Sequence, residues 1–173
     1  MSNGIKVKKR DGRIESLDLD KMHLMVDEAC QGLAGVSASQ VEMKSGIQFY
    51  DGITTEEIQE ILIKAASDLI DLDHPNYQFV AARLLLFALR KQLYGKMREL
   101  PHLEPHIMSC TNIDVYDKGI FDKYSKEEIE KANSFIDHDR DFLFTYAGLR
   151  QVVDKYLVPV SYTHLRAHET LGN

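Results

Sequence analysis

The stretch TTEEIQEILIKAASDLI, residues 54–70, constrains the fold more than any other. Ile58, Ile61, Leu62, Ala65 and Leu69 recur at the helical period, so one face of a helix is apolar. Thr54 and Glu57 stand three apart ahead of that face. A hydroxyl and a carboxylate so placed can close a capping box over the helix start. A helix this amphipathic must bury its stripe against partners, and the flanking sequence supplies them. DLDKMHLMVDEACQGLAG carries Met22, Met25, Val26, Ala29, Cys30 and Leu33 at the same period; Asp18 or Asp20 can cap it, and the Gly32 and Gly35 region ends it. SASQVEMKSGIQFY opens with Ser37 and Gln40 at capping-box spacing and predicts a second helix. After DHPN, a further helix is expected over about Tyr77 to Tyr94, with Val80, Leu84 and Phe87 on its face.

Ahead of these helices, IKVKKRDGRIESLD reads as a β-hairpin. Ile5 and Val7 alternate with Lys6 and Lys8, and Asp11-Gly12 supplies the turn. The expected class is therefore mainly α with a small N-terminal β-hairpin or sheet. Gly95, Pro101 and Pro105 cluster in GKMRELPHLEP and predict a boundary, giving domains at 1–95 and 96–158. Beyond it, helices are expected at Ser125 to Ile136, behind a Ser125/Glu128 box, and over about Phe142 to Lys155. The tail PVSYTHLRAHETLGN has neither period, and PVSYTHLRAHET resembles a translated sequencing adaptor, so 159–173 is expected to be non-native.

Charge and cysteine content exclude several functions. Twenty-one basic against 27 acidic side chains leave a net charge of −6, which disfavours general nucleic-acid binding. Cys30 and Cys110 stand alone, without zinc spacing, which is a reducing, cytoplasmic pattern. The N-terminus has no apolar signal region, and no apolar run is long enough for a membrane span. His102 and His106 lie four apart, but Pro105 is expected to spoil a helix presenting both. IDHDRD, with its three aspartates, reads as capping and local ion pairs rather than a metal cluster. No metal site is expected.

Any anion site must then be local. Lys8, Lys9 and Arg10 put cations beside a backbone turn, and a helix start at Thr54-Thr55 offers free N–H groups and a hydroxyl. Phe87 and Lys91 are four apart on one helix face, with Arg83 one turn earlier. Glu15 and Asp18 repel phosphate but can accept from an adenine amino group. Cations for phosphate, carboxylates for base and an aromatic between them account for the mixed signs; a solvated basic hairpin tip accounts for them as well. His23 either reaches toward such a ligand or sits on its helix's flank.

The blocks VKKRDGRIESLDLDKMH, SQVEMKSGIQFYDGITT and AARLLLFALRKQLYG resemble the ATP-cone of the large (alpha) subunit of aerobic, class I ribonucleoside-diphosphate reductase, and FIDHDRDFLFTYAGLRQVVDKYLV resembles the segment after it. The resemblance covers essentially residues 5–158 and implies a fragment of that subunit. It implies a helical bundle capped by short strands, followed by the start of the reductase's helical region. It implies binding of ATP as activator or dATP as inhibitor, with magnesium and no redox cofactor. By the family pattern Lys9, Arg10, Thr55 and Lys91 contact phosphate, with Lys21 close by. Glu15 and Asp18 read adenine, and Val7 and Phe87 line the site. Two departures stand out: Asp18 where relatives often carry Asn, and Gln59 where they often carry a His near the sugar. The implied partners are the rest of the subunit, a homodimer partner and the radical-generating small (beta) subunit, with no nucleic acid or membrane. A degenerate cone acting only as a helical interaction module is the alternative. Repressors that carry a cone place a zinc ribbon before it, and no cysteine precedes Ile5 here. The anaerobic reductase fits the blocks after the cone less well.

Overall fold

A computed structural model describes residues 5–46, 48–161 and 164–167. The chain divides into two units, one formed by residues up to Ala88 with Phe142–Arg150, the other by Leu89–Asp141 with residues from Gln151 onward.

In the first unit, β1 (Lys6–Lys8) and β2 (Ile14–Ser16) form the expected hairpin, with Val7 opposite Glu15. Its turn is longer than Asp11-Gly12 alone: Lys9 N donates to Arg13 O at 2.8 Å and Gly12 N to Lys9 O at 3.0 Å. Gly12 takes φ 85°, where a side chain would be strained. A third strand, β3 (Ile53–Thr54), lies parallel to β1, giving the order β2-β1-β3. Val7, 3 % exposed, pairs with Ile53, which is fully buried. The alternation of Val7 with Lys6 and Lys8 thus puts one apolar side chain inward and two cations outward.

The helices of this unit are α1 (Leu19–Cys30), α2 (Ala38–Gly46), α3 (Thr55–Ser67) and the start of α4 (Tyr77–Tyr94). Asp18 caps α1, accepting from Lys21 N at 3.0 Å. The reciprocal Ser37/Gln40 box expected for α2 is replaced by a tertiary contact. Ser37 N donates to the Tyr77 hydroxyl at 3.0 Å, and that hydroxyl donates to Gln40 Oε1 at 2.5 Å. A buried phenol needs both a donor and an acceptor, and these two groups satisfy it. Thr54 and Glu57 form the expected box over α3. The buried face of α3 is shifted from its sequence stripe: Gln59, Ile63 and Ala66 are buried along with Ile58, Leu62 and Ala65, whereas Ile61 is half-buried and Leu69 lies past the helix end. α4 is buried on most sides over Tyr77, Val80, Ala81, Ala82 and Leu84 through Phe87, so it runs through the core rather than along it.

The second unit holds the end of α4, α5 (Leu103–Asn112), α6 (Ile120–Lys123), α7 (Lys126–Asn133) and the end of α8 (Tyr146–Lys155). Pro105 does not spoil α5. It occupies the first turn, where the missing N–H bonds nothing in any helix. Leu103 N donates to Asn133 Oδ1 at 2.8 Å, tying α5 to α7. Ser125 and Glu128 form the expected box on α7. The IDHDRD segment forms a 3-10 turn, His138–Leu143, separate from α8, where one continuous helix from about Phe142 was expected. Its Asp141 accepts from buried Arg90 at 2.7 Å, so it serves an ion pair. Leu157–Ser161 and His164–Ala167 pair antiparallel as β4 and β5, although the tail has no strand period. The rest of 159–173 lies outside the described residues.

Leu62 is fully buried and Leu72 is 99 % exposed. Leu62→Ala is expected to cost about 3 kcal/mol in urea unfolding of the full chain, whereas Leu72→Ala stays within about 0.5 kcal/mol.

Candidate functional site

The parallel pairing of β1 with β3 sets Lys8 opposite Thr54, which is both the end of β3 and the cap of α3. The hairpin's basic tip is thereby carried to the N-terminus of α3. Arg10 Nε donates to Glu56 Oε1 in the first turn of that helix. Backbone N–H groups at a helix start point outward without helical partners and favour negative charge. Cationic side chains over such a start make a seat for phosphate.

Lys9, Arg10, Arg13 and Lys21 are each matched by a carboxylate. Lys9 Nζ lies 3.3 Å from Glu15 Oε2, and Arg13 reaches Glu15 Oε1 at 3.2 Å and Asp11 at 2.7 Å. Lys21 Nζ lies 3.2 Å from Asp18 Oδ2. Lys21's backbone N–H, and then its ammonium, hold the Asp18 carboxyl below the usual range. Asp18 also lines an open depression with Ser16, Leu17, Leu19 and Asp20, where β2 passes into α1. Glu57 is tied into its cap, accepting from Thr54 N at 2.8 Å, from Thr54 Oγ1 at 2.8 Å and from Tyr50 Oη at 2.8 Å.

Gln59 follows Thr55 by one turn of α3 and is 7 % exposed. Its Nε2 has no hydrogen-bond partner among the described residues. Leaving a buried donor unmatched costs about 1–3 kcal/mol, so a folded chain seldom keeps one without a use for it. An amide held inside the unit, one turn below the proposed phosphate seat, has the chemistry to donate to a ligand hydroxyl or ring atom.

The structure thus gathers Val7, Lys9, Arg10, Glu15 and Thr55 around β1, β3 and the start of α3, with Gln59 one turn below and Asp18 and Lys21 at the start of α1. Phe87 sits in the core of the first unit, 1 % exposed, edge-on to Phe142 with ring centroids 6.2 Å apart. Lys91 lies on the last turn of α4, in the second unit. Arg83 does not extend the cationic face suggested by its spacing from Phe87. Its guanidinium donates to Ala29 O at 3.1 Å and Gln31 O at 2.6 Å, satisfying the carbonyl end of α1, and lies 5.4 Å from the Phe142 ring centre. Sequence reasoning missed Glu56. Its acidity reads as ordinary first-turn chemistry, and its partner is 46 residues away. Burial pushes the Cys30 thiol up to about 11, which leaves it protonated and unreactive at neutral pH.

Residues 5–92 match the family described as the ATP cone domain. The chain belongs to the ATP-cone family. It is 49% identical over 158 residues to ribonucleoside-diphosphate reductase 1 subunit alpha of Escherichia coli, a match covering 91% of this chain and 21% of that protein. It is 47% identical over 158 residues to the alpha subunit of Haemophilus influenzae, with the same coverage. The alpha subunit of Enterobacteria phage T4 is 42% identical over 156 residues, 89% of this chain and 20% of that one. The ATP-cone chain therefore spans about a fifth of the length of these relatives. Among the described residues no helix is long and apolar enough to cross a membrane.

His23 lies on the flank of α1, where its Nδ1 is 2.8 Å from Glu42 Oε1 of α2. The hydrogen bond and charge of Glu42 raise the His23 pKa above its ordinary value. The resulting stability is full below the unfolded value, about 6.5, and is lost as pH rises through the raised folded value. A proton NMR titration should place the His23 midpoint above that of an unstructured histidine, and Glu42→Gln should bring it back down.

Proposed function

We propose that the cone of this chain is an allosteric effector site for ATP and dATP. In this reading the triphosphate, with its magnesium, takes the seat between the hairpin tip and the start of α3. Lys9, Arg10 and Thr55 face the phosphates, with Lys21 nearby. Glu15 and Asp18 accept from the adenine amino group, Gln59 donates near the sugar, and Val7 and Phe87 supply the apolar backing. The reading rests on one observation above the others: in a member of the ATP-cone family, the register of β1 on β3 sets a basic turn over a helix N-terminus one turn from a buried, unmatched amide.

The names of the relatives extend the proposal to the whole protein. The chain is part of a ribonucleoside-diphosphate reductase alpha subunit in the cytoplasm, working with a partner copy and a radical-generating beta subunit. Effector occupancy then adjusts whether reduction proceeds elsewhere in that assembly. ATP and dATP differ only at the 2′-hydroxyl, so their opposite effects require a difference in affinity between two states of the assembly.

Calorimetric titration of the full chain with ATP, dATP and GTP in magnesium tests the site. Saturable binding of both adenine nucleotides, weaker with GTP, is expected. Lys9→Ala should weaken ATP at least about tenfold, the scale of one charge-assisted hydrogen bond. A folded wild-type chain that binds none of the three contradicts the proposal and favours a cone that serves only as an interaction module.

A further inference from the structure

Glu56 is placed differently from the other carboxylates of the site. Its Oε1 accepts from Arg10 Nε, and its Oε2 accepts from Thr55 Oγ1 at 3.2 Å. Each of its two oxygens therefore engages one of the groups assigned above to phosphate. Its neighbour Glu57 spends its oxygens on Thr54 and Tyr50 and touches neither. A carboxylate presents two oxygens on one edge, as a phosphate does, and both bind a guanidinium and a hydroxyl with similar geometry.

We propose that Glu56 is an internal anion that occupies the phosphate seat of Arg10 and Thr55, so that a nucleotide's phosphate binds by displacing it. This rests on the effector-site reading and adds a regulatory element to it. Arg10 and Glu56 remain about two-fifths exposed, at 37% and 43% of their side chains. Exposed pairs of this kind are weak, so a triphosphate with several charges can open the contact. Apparent affinity then falls by the fraction of molecules in which the seat is closed. Burial works to raise the Glu56 pKa, but its own backbone N–H and Arg10 outweigh it, with Thr55 adding to them, and hold the carboxyl below its ordinary value. Glu56 is thus ionised at neutral pH, as a competing anion must be. The device keeps the cone closed to weak anions and sets a concentration threshold for the effector.

The test is calorimetric titration of the full chain with Mg-ATP, comparing wild type with Glu56→Gln, Glu56→Asp and Glu60→Gln. Glu60 is exposed one turn further along α3, and its change removes the same charge without touching Arg10. Glu56→Gln should bind roughly three- to tenfold tighter. Glu56→Asp, which keeps the charge but shortens the reach, should also bind tighter, and Glu60→Gln should match wild type. Saturable wild-type binding with no gain in either Glu56 variant, or an equal gain in Glu60→Gln, overturns the displacement proposal and leaves the effector site standing. No binding by folded wild type or either folded Glu56 variant overturns both.

Discussion

The parallel pairing of Val7 with Ile53 is the contact on which the rest of the cone depends. Both side chains are buried, and their pairing links the hairpin to the start of α3. It also fixes register. A shift of one residue would turn Val7 outward and a lysine inward, which a buried face does not tolerate. With that register set, Thr54 falls opposite Lys8, α3 begins beside the basic turn, and Arg10 reaches the helix's first turn. Apolar burial on one side of β1 therefore determines where charge gathers on the other.

That gathering is balanced rather than purely cationic. Lys9, Arg10, Arg13 and Lys21 each meet a carboxylate within the same unit. An exposed cation cluster beside a helix N-terminus would attract any anion, and in a chain of net charge −6 it would stand apart from its surroundings. In the proposed effector site, carboxylates that pair with those cations favour a ligand carrying several charges and a base over charge alone. There the buried, unmatched Gln59 amide offers a donor one turn below the rim.

Much of this was legible in the sequence. The α3 capping box, the span of α4 and the alternation in β1 each follow from local spacing, and each is found as read. What escaped depends on contacts far apart in the chain. Two residues of β3 carry no strand period of their own and exist because β1 lies beside them. Tyr77 takes over the α2 start across about 40 residues, and Arg83 leaves its expected face to serve the carbonyls of α1. Glu56 reads in sequence as any first-turn acid because its partner Arg10 lies 46 residues away. Pro105 leaves α5 intact for a local reason: in the first turn of a helix it breaks nothing.

In the proposed effector site, the β1–β3 register and the start of α3 together build one nucleotide seat. Amide hydrogen exchange of the full chain with and without Mg-ATP probes that seat. Added protection is expected to concentrate in residues 6–18 and 53–60, where the hairpin, the start of α1 and the first turns of α3 lie. Saturating nucleotide that leaves those two segments unchanged, or protects only other parts of the chain, would contradict it.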